Sequence, residues 1–362
     1  MAEWKECLLG DLITFQRGHD LAKSKMSGNG YPVVGSNGII GFHNEYTTEY
    51  PSITVGRSGN VGKPYIVYGR SWSHNTSLYI KEFKGTDPVF IYYFLQTLDL
   101  GNYAGGSAVP TLNRNHIHSL SVRVPADIST QEKIANTLKV LDDKIDKNTD
   151  INKNLEQQAQ TIYQQMFIDN ARSDWAEGTL SDIADITMGQ SPSGSSYNED
   201  GTGTIFFQGR AEFGFRFPSV RLYTTEPKRM ARSNDTLMSV RAPVGDLNVA
   251  HMDCCIGRGL AAIHSKSHHQ SFVLYTMFSL KKQLNVFNGE GTVFGSINRN
   301  SLNDTPILIP SDDILDEFER IVAPMDLTIR NNYDENCRLQ DIRDTLLPRL
   351  MSGELDVSDI DI

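Results

Sequence analysis

Trp4-Lys-Glu-Cys-Leu-Leu-Gly-Asp-Leu12 realigns with Trp175-Ala-Glu-Gly-Thr-Leu-Ser-Asp-Ile183 at a shift of 171, and this self-match decides how the chain is read. It pairs Trp4 with Trp175, Glu6 with Glu177, Leu9 with Leu180, Asp11 with Asp182 and, further on, Gly18 with Gly189. Ile53-Thr-Val-Gly-Arg57 then resembles Leu237-Met-Ser-Val-Arg241, with Gly62 and Gly245 following, and Phe90 and Tyr93 fall opposite Phe272 and Tyr275. Gly106, Asn113-Arg114-Asn115 and Pro125 match Gly291, Asn298-Arg299-Asn300 and Pro310 at a shift of 185. Glu132-Lys-Ile134 matches Glu319-Arg-Ile321, and Leu155, Thr161, Ile162 and Met166 match Leu339, Thr345, Leu346 and Leu350. Shared order with slowly drifting shifts is what duplication followed by loop-length change leaves behind.

Each copy has the same internal plan. A lobe of short β-like runs separated by glycine comes first, as in Tyr31-Pro-Val-Val34, Ser52-Ile-Thr-Val55, Ser77-Leu-Tyr-Ile80 and Leu120-Ser-Val-Arg-Val124. One amphipathic helix is expected inside each lobe, near 88–99 and 271–286, and the lobes close on Pro125 and Pro310. A long helix follows. In the first copy Ile134, Leu138, Leu141, Ile145, Asn148, Asn152, Leu155, Ala159, Ile162 and Met166 alternate steps of four and three, the 3.5-residue seam of a coiled coil. Ser129 is the expected cap, with Glu132 as its capping-box partner. The second copy reads Ile321, Met325, Thr328, Asn332, Glu335, Leu339, Ile342 and Leu346, with Pro324 expected to mark its start and Pro348 to kink or end it. Both seams have apolar ends and a polar waist, so the two helices are expected to pair with each other, antiparallel because a lobe lies between them in the chain. The fold class is α+β: two mixed α/β lobes, 1–127 and 174–310, alternating with two long helical segments, 128–173 and 311–362, as a pseudo-twofold internal repeat.

Charge sorts the chain unevenly. The formal net charge is −10, yet it amounts to +1 over 1–127, −1 over 128–173, −1 over 174–310 and −9 over 311–362. The lobes are close to neutral and free to carry basic faces; an acidic total neither excludes nor suggests DNA. Cys7, Cys254, Cys255 and Cys337 form no regular framework, which fits free thiols in a cytoplasmic setting. The start has no apolar core of a signal peptide, and no run approaches the roughly 18 apolar residues of a membrane helix.

The lobe–helix–lobe–helix plan resembles the specificity subunit of Type I restriction–modification enzymes across the whole chain. The resemblance rests on Leu9-Gly-Asp-Leu12 and Leu180-Ser-Asp-Ile183, on Val124-Pro125 with Gln131-Glu-Lys-Ile134, and on Thr345-Leu-Leu-Pro-Arg-Leu-Met-Ser-Gly-Glu-Leu355. It implies a non-catalytic subunit in which each lobe is a target-recognition domain reading one half of an interrupted, asymmetric site in double-stranded DNA. It further implies that the helix pair is a ruler for the unread bases between the halves. Two modification (methyltransferase) subunits would dock on the helical regions and restriction subunits would join them; AdoMet, ATP and Mg²⁺ would belong to those partners and no cofactor to this chain. Phe318 stands where the first copy has Gln131, so the starts of the two helices are not equivalent.

Direct readout of DNA needs Arg or Lys for guanine and Asn or Gln for adenine on loops that reach base edges. The first lobe offers Arg57, Ser58, Asn60 and Lys63 in one glycine-rich loop, His74 and Asn75 in another, and Arg114. The second offers Arg210, Arg241, Arg258 and Arg299. Recurrence of Arg114 as Arg299 points to phosphate contact or scaffold, since residues that specify different bases should differ between the copies. Lys281-Lys282 are equally well explained as cations favoured at a helix C-terminus. Enzymatic readings fare poorly. There is no Pro-Pro loop of an amino methyltransferase, Pro64 stands where a phosphate loop needs Ser or Thr, and Glu82-Phe-Lys84 lacks an upstream aspartate partner between Asp20 and Asp87. His264, His268, Cys254 and Cys255 read better as ordinary residues than as a zinc site. The alternative from another class is an interaction scaffold whose coiled coil organises partners while the lobes bind protein.

Overall fold

The computed structural model describes residues 3–106, 110–289 and 295–357; Met1, Ala2 and the repeat glycine Gly291 lie outside the described residues. The chain divides into two compact units, one of residues 1–147 with 335–362 and one of residues 148–334. Each long helix therefore contributes one half to each unit.

In the first unit the order is β1 (Trp4–Leu8), α1 (Leu9–Leu12), β2 (Ile13–Arg17), β3 (Tyr31–Gly35), β4 (Gly38–His43), β5 (Ser52–Gly56), β6 (Pro64–Val67), β7 (Trp72–Ser73), β8 (Ser77–Phe83), α2 (Pro88–Gln96), β9 (Ala104–Gly105), β10 (Thr111–Leu112), α3 (Arg114–His118) and β11 (Ser121–Pro125), then the start of α4 (Ile128–Tyr163). Strands β2-β8-β5-β6 form an antiparallel sheet, and β3 joins antiparallel β4 to parallel β7. All five residues of β5 are buried, and the strand is hydrogen-bonded on both edges, to β8 and β6. Pairing of β1 with β11 brings the two ends of the lobe together. Asp87 caps α2 by accepting from Phe90 N at 2.7 Å, with Pro88 set where a missing N–H costs nothing.

The second unit repeats the plan with β12 (Ala176–Thr179), α5 (Leu180–Ile183), β13 (Ala184–Met188), β14 (Tyr197–Asn198), β15 (Thr204–Phe207), β16 (Leu222–Thr224), β17 (Met230–Ala231), β18 (Thr236–Ser239), β19 (Leu247–Val249), β20 (Cys254–Ile256), β21 (Leu260–Ser265), α6 (Gln270–Leu284), α7 (Arg299–Asn303) and β22 (Pro306–Ile309), then the start of α8 (Asp312–Ser352). Sheet β13-β21-β18-β19 answers to β2-β8-β5-β6, β16-β15-β20 answers to β4-β3-β7, and β12-β22 answers to β1-β11.

The long helices differ in detail from the sequence reading. Helix α4 begins at Ile128, and its cap is Asp127 rather than Ser129, since Asp127 accepts from both Thr130 N at 2.7 Å and Thr130 Oγ1 at 2.8 Å. Its 36 residues span about 54 Å. Helix α8 begins at Asp312, well before Pro324, and runs through both Pro324 and Pro348. The carbonyls that lose a donor there belong to Arg320 and Asp344, both exposed residues, where solvent is within reach of the freed acceptor.

Helix α4 packs against α8 inside each unit. In the first, Arg343 pairs with Asp142 at 2.7 Å and Lys144 with Glu335 at 3.2 Å, while Leu350 and Met351 join Ile134 and Leu138 in the lobe's core. Ile342, placed on the seam from sequence, is 47% exposed. The inward position belongs to its neighbour Arg343, held by the Asp142 carboxylate that also accepts from Tyr93 Oη at 2.6 Å. Ile321 and Thr328 are exposed as well; the buried stripe is Leu315, Phe318, Val322 and Ile329, one residue away. On α4, Ile134, Leu138 and Ile145 are buried and Leu141, Leu155 and Ile162 half-buried, as are Leu339 and Leu346 on α8. In the second unit Asn332 Nδ2 donates to Asn152 Oδ1 at 2.8 Å, and Asn152 Nδ2 donates to the Ile329 carbonyl at 3.3 Å. Gln131 and Phe318, matched from sequence, are not equivalent in the structure: α4 begins at Ile128 and α8 at Asp312, a shift of 184 that sets Phe318 opposite Ile134. Buried Gln131 accepts from Asp87 N and donates to the Pro125 carbonyl, whereas Phe318 sits among Tyr163, Phe167 and Tyr275.

Arg216 ties the second lobe to both helix halves of its unit. Its buried guanidinium meets Glu156 of α4 at 3.0 Å, Asp326 of α8 at 3.1 Å and Tyr275 Oη of α6 at 3.1 Å. Burial pushes the Glu156 carboxyl above its usual range despite the Arg216 charge beside it. A carboxyl whose pKa is raised by folding favours the folded state when protonated and loses that contribution as pH rises through the raised value. Arg216→Met removes the compensating charge, so its destabilisation should be about 3–5 kcal/mol at pH 8 and shrink as pH falls through the Glu156 titration. Urea denaturation at pH 5 and pH 8 measures this; an equal loss at both values contradicts it.

Candidate nucleic-acid interface

At one end of each lobe's principal sheet, five connections meet. In the first lobe they are the turn after β2, the β3–β4 turn, the loop after β5, the turn between β7 and β8, and the segment from β10 into α3. Backbone bonds knit them: Arg57 N and Ser58 N donate to the Thr76 carbonyl at 2.8 and 3.2 Å, Leu112 N donates to the Arg57 carbonyl at 2.9 Å, and His74 N donates to the Val34 carbonyl at 2.9 Å. Gly18 is required where it stands, because a Cβ there would lie 2.1 Å from the His74 carbonyl oxygen. Gly62 has φ +87° and backs onto Gly101, which closes the Gly56–Gly62 hairpin.

The second lobe uses the same bonds. Val240 N donates to the Gly259 carbonyl at 3.0 Å, Ile297 N to the Val240 carbonyl at 3.0 Å, and Gly257 N to the Phe207 carbonyl at 2.8 Å. Gly189 meets the Gly257 carbonyl as Gly18 meets that of His74. These bonds correct the sequence alignment by one residue. Arg57 corresponds to Val240, not to Arg241, and the counterpart of Arg241 is Ser58; accordingly Ser58 bridges Thr111 as Arg241 bridges Ser296. By the same register Asn75 corresponds to Arg258, and Arg114 to Arg299.

The sequence candidates separate into three groups. Arg57 and Arg114 come together with Arg17, Gln16, Asn113 and His116 around an open hollow of about 660 Å³. Arg114 opens α3, whose N-cap Asn113 accepts from Asn115 N at 2.9 Å. His118 anchors that helix by accepting from Phe15 N at 2.9 Å, and burial, with Lys84 and Arg114 nearby, pushes its pKa down so that the ring stays a neutral acceptor. Arg241, Arg258 and Arg299 are exposed on the second lobe with no ion pair among the described residues. A second group is committed elsewhere. His74 engages Thr76 Oγ1 at 3.0 Å and the Leu21 carbonyl at 3.3 Å through its two ring nitrogens. Arg210 is paired with Asp246 at 2.8 Å, whose other oxygen takes Lys281 at 3.3 Å. The third group lies to the side: Asn60 donates to Tyr65 Oη at 3.3 Å, and Lys63 stands over the Tyr65 ring beside a different hollow lined by Leu95, Asp99 and Asn102. Arg17 escaped the sequence reading, although its place directly before the repeat glycine Gly18 was the available signal.

Of the zinc idea, His264 meets Asp235 at 2.6 Å, and burial pushes the Cys254 thiol up to about 12, which keeps it protonated. Among the described residues no group of three His, Cys, Asp or Glu side chains is arranged to hold a metal. No helix among them is long and apolar enough to cross a membrane.

Comparison with known proteins agrees with this architecture. A putative Type I restriction enzyme MjaX specificity subunit of Methanocaldococcus jannaschii is 36% identical over 174 residues, 48% of this chain and 41% of the relative's length. The MjaIX specificity subunit of the same organism is 24% identical over 310 residues, covering 75% of this chain and 70% of the relative. The crystal structure of a Type I restriction–modification S subunit from M. genitalium superposes with a TM-score of 0.66 at 17% identity, covering 96% of both chains, which is a likeness of fold. The sequence model of the Type I restriction modification DNA specificity domain matches twice, over residues 1–157 and 172–334. The chain therefore belongs to the Type I restriction–modification DNA specificity family and carries two copies of its domain in series.

Proposed function

We propose that this chain is the DNA-reading, non-catalytic subunit of a Type I restriction–modification complex, with target-recognition domains at 1–127 and 174–310 reading the two unlike halves of an interrupted site. The observation that carries the reading is the pair of equivalent loop clusters: one backbone scaffold, held by the same bonds, displays different side chains in the two copies. Positions that agree, Arg114 and Arg299, suit phosphate contact, which positions a protein without reading sequence. Positions that differ suit base edges.

Helices α4 and α8 form, on this reading, an antiparallel coiled coil that sets the number of unread bases. Support comes from the order of the pairs within each unit. Going from Asp142 to Ile145 on α4, the partner falls from Arg343 to Asn336, and going from Asn152 to Glu156, the α8 residues reached fall from Asn332 to Asp326, the last through Arg216. Two modification subunits and the restriction subunits are the proposed protein partners, with AdoMet, ATP and Mg²⁺ bound by them.

Two outcomes test the reading, both with the modification subunits present. Four residues inserted in α4 near Asn148 lengthen the helix by about 6 Å, close to two base pairs, so methylation mapping should show a changed gap between unchanged half-sites. Altered half-sites would count against the ruler. Arg114→Ala and Arg299→Ala should each weaken binding to cognate and random duplexes alike and reduce the salt slope by about one. A loss confined to the cognate sequence would instead make these arginines base readers.

A further inference from the structure

The turn between the seventh and eighth strands of the first lobe and its counterpart in the second hold one position at which geometry is shared and chemistry is not. Asn75 follows His74, whose N–H donates to the Val34 carbonyl; Arg258 follows Gly257, whose N–H donates to the Phe207 carbonyl. On the far side, Thr76 and Gly259 accept through their carbonyls from Arg57 N and Val240 N. Gly18 and Gly189 press against the carbonyl just before the position. The backbone is thus clamped on three sides in both lobes, while the side chain it displays differs.

The neighbour that supports this position also changes with it. At a shift of 171, Asp20 corresponds to Ser191. In the first lobe Asp20 accepts a hydrogen bond from Asn75 Nδ2, and Arg17 stands 3.7 Å from the same carboxylate. This bond orients the carboxamide through one N–H, and no further partner holds its second N–H or Oδ1 among the described residues. In the second lobe Ser191 Oγ accepts from Arg258 N at 3.2 Å, so it holds the backbone and leaves the guanidinium fork uncommitted. A carboxamide with one donor and one acceptor side by side matches the N7 and N6 edge of adenine, and a guanidinium fork matches N7 and O6 of guanine.

We infer that the position shared by Asn75 and Arg258 is specificity-determining in both lobes, selecting adenine in the half-site of the first and guanine in that of the second, with Asp20 as a positioning residue for Asn75. The inference rests on the DNA-reading role proposed above and names the chemistry at one point of it. Residues outside this turn choose the remaining bases.

The test uses the full chain co-assembled with its modification subunits, and selection from a pool of randomised duplexes. The wild type should select a two-part site. Asn75→Arg should change the preference from adenine to guanine at one position of one half, and Arg258→Asn the reverse in the other half. Arg258→Lys, which keeps the charge and loses the fork, should reduce the guanine preference about 10- to 100-fold while leaving binding to random duplex nearly unchanged. Asp20→Ala should relax the adenine preference at the position set by Asn75 and no other, a readout that general loosening of the lobe would not give. Should the wild type select a two-part site and these variants leave its base preferences untouched, or weaken all sequences equally, this inference is overturned and the parent reading stands. Should the wild type select no two-part site, both fall.

Discussion

Neither long helix can bury its own seam, and much of the fold follows from that constraint. Helix α4 carries Ile134 and Leu138 near its start and Ala159 and Tyr163 near its end, with buried Asn148 and Asn152 between. The first pair is covered in company with Leu350 and Met351, the second with Leu315 and Phe318. Within the second unit the amides of the middle stretch hold the two helix halves in register. Shifting that register would strand Asn152, whose carboxamide is satisfied by Asn332 and the Ile329 carbonyl, in an apolar layer. Hydrophobic burial supplies the attraction, and the asparagines hold the register.

The lobes complete those helix halves in two different chemical ways. In the first unit α2 brings Tyr93 to the Asp142–Arg343 pair, and in the second α6 brings Tyr275 to Asp326 and Arg216. Tyr93 and Tyr275 are repeat equivalents, and a tyrosine–aspartate contact between lobe helix and long helix is present in both copies, with the arginine supplied from α8 in one and from a lobe loop in the other. The contact is common to the copies, and its third member differs in origin. The loop clusters follow the same rule: hydrogen bonds of the scaffold stay, and the exposed side chains diverge.

Much of this was legible in the sequence, and the failures have local causes. Period-two runs such as Ser52–Val55 and the helical pattern of α4 stated their own structure, because burial on a strand or helix face leaves a period behind. The register of α8 was ambiguous because apolar residues flank the true stripe, Ile321 beside Val322 and Ile342 beside Arg343, and only the aromatic cluster around Phe318 and the Asp142 carboxylate decide between them. The cap at Asp127 depends on which side chain reaches Thr130, and the passage through Pro324 on the exposure of Arg320, neither of which a spacing records. Likewise, matching Arg57 with Arg241 followed residue identity, whereas the hydrogen bonds of Leu112 and Ile297 set the register one residue away. The bond from His74 to the Leu21 carbonyl was invisible, since those residues meet only through tertiary contact.

Replacing residues 1–127 with the corresponding lobe of another member of the family, and mapping methylation by the assembled complex, tests the central claim most directly. If each lobe reads independently and the helices set the interval, one half-site changes while the other half and the gap are retained. A change in both halves, or a new gap with the helices untouched, would contradict it.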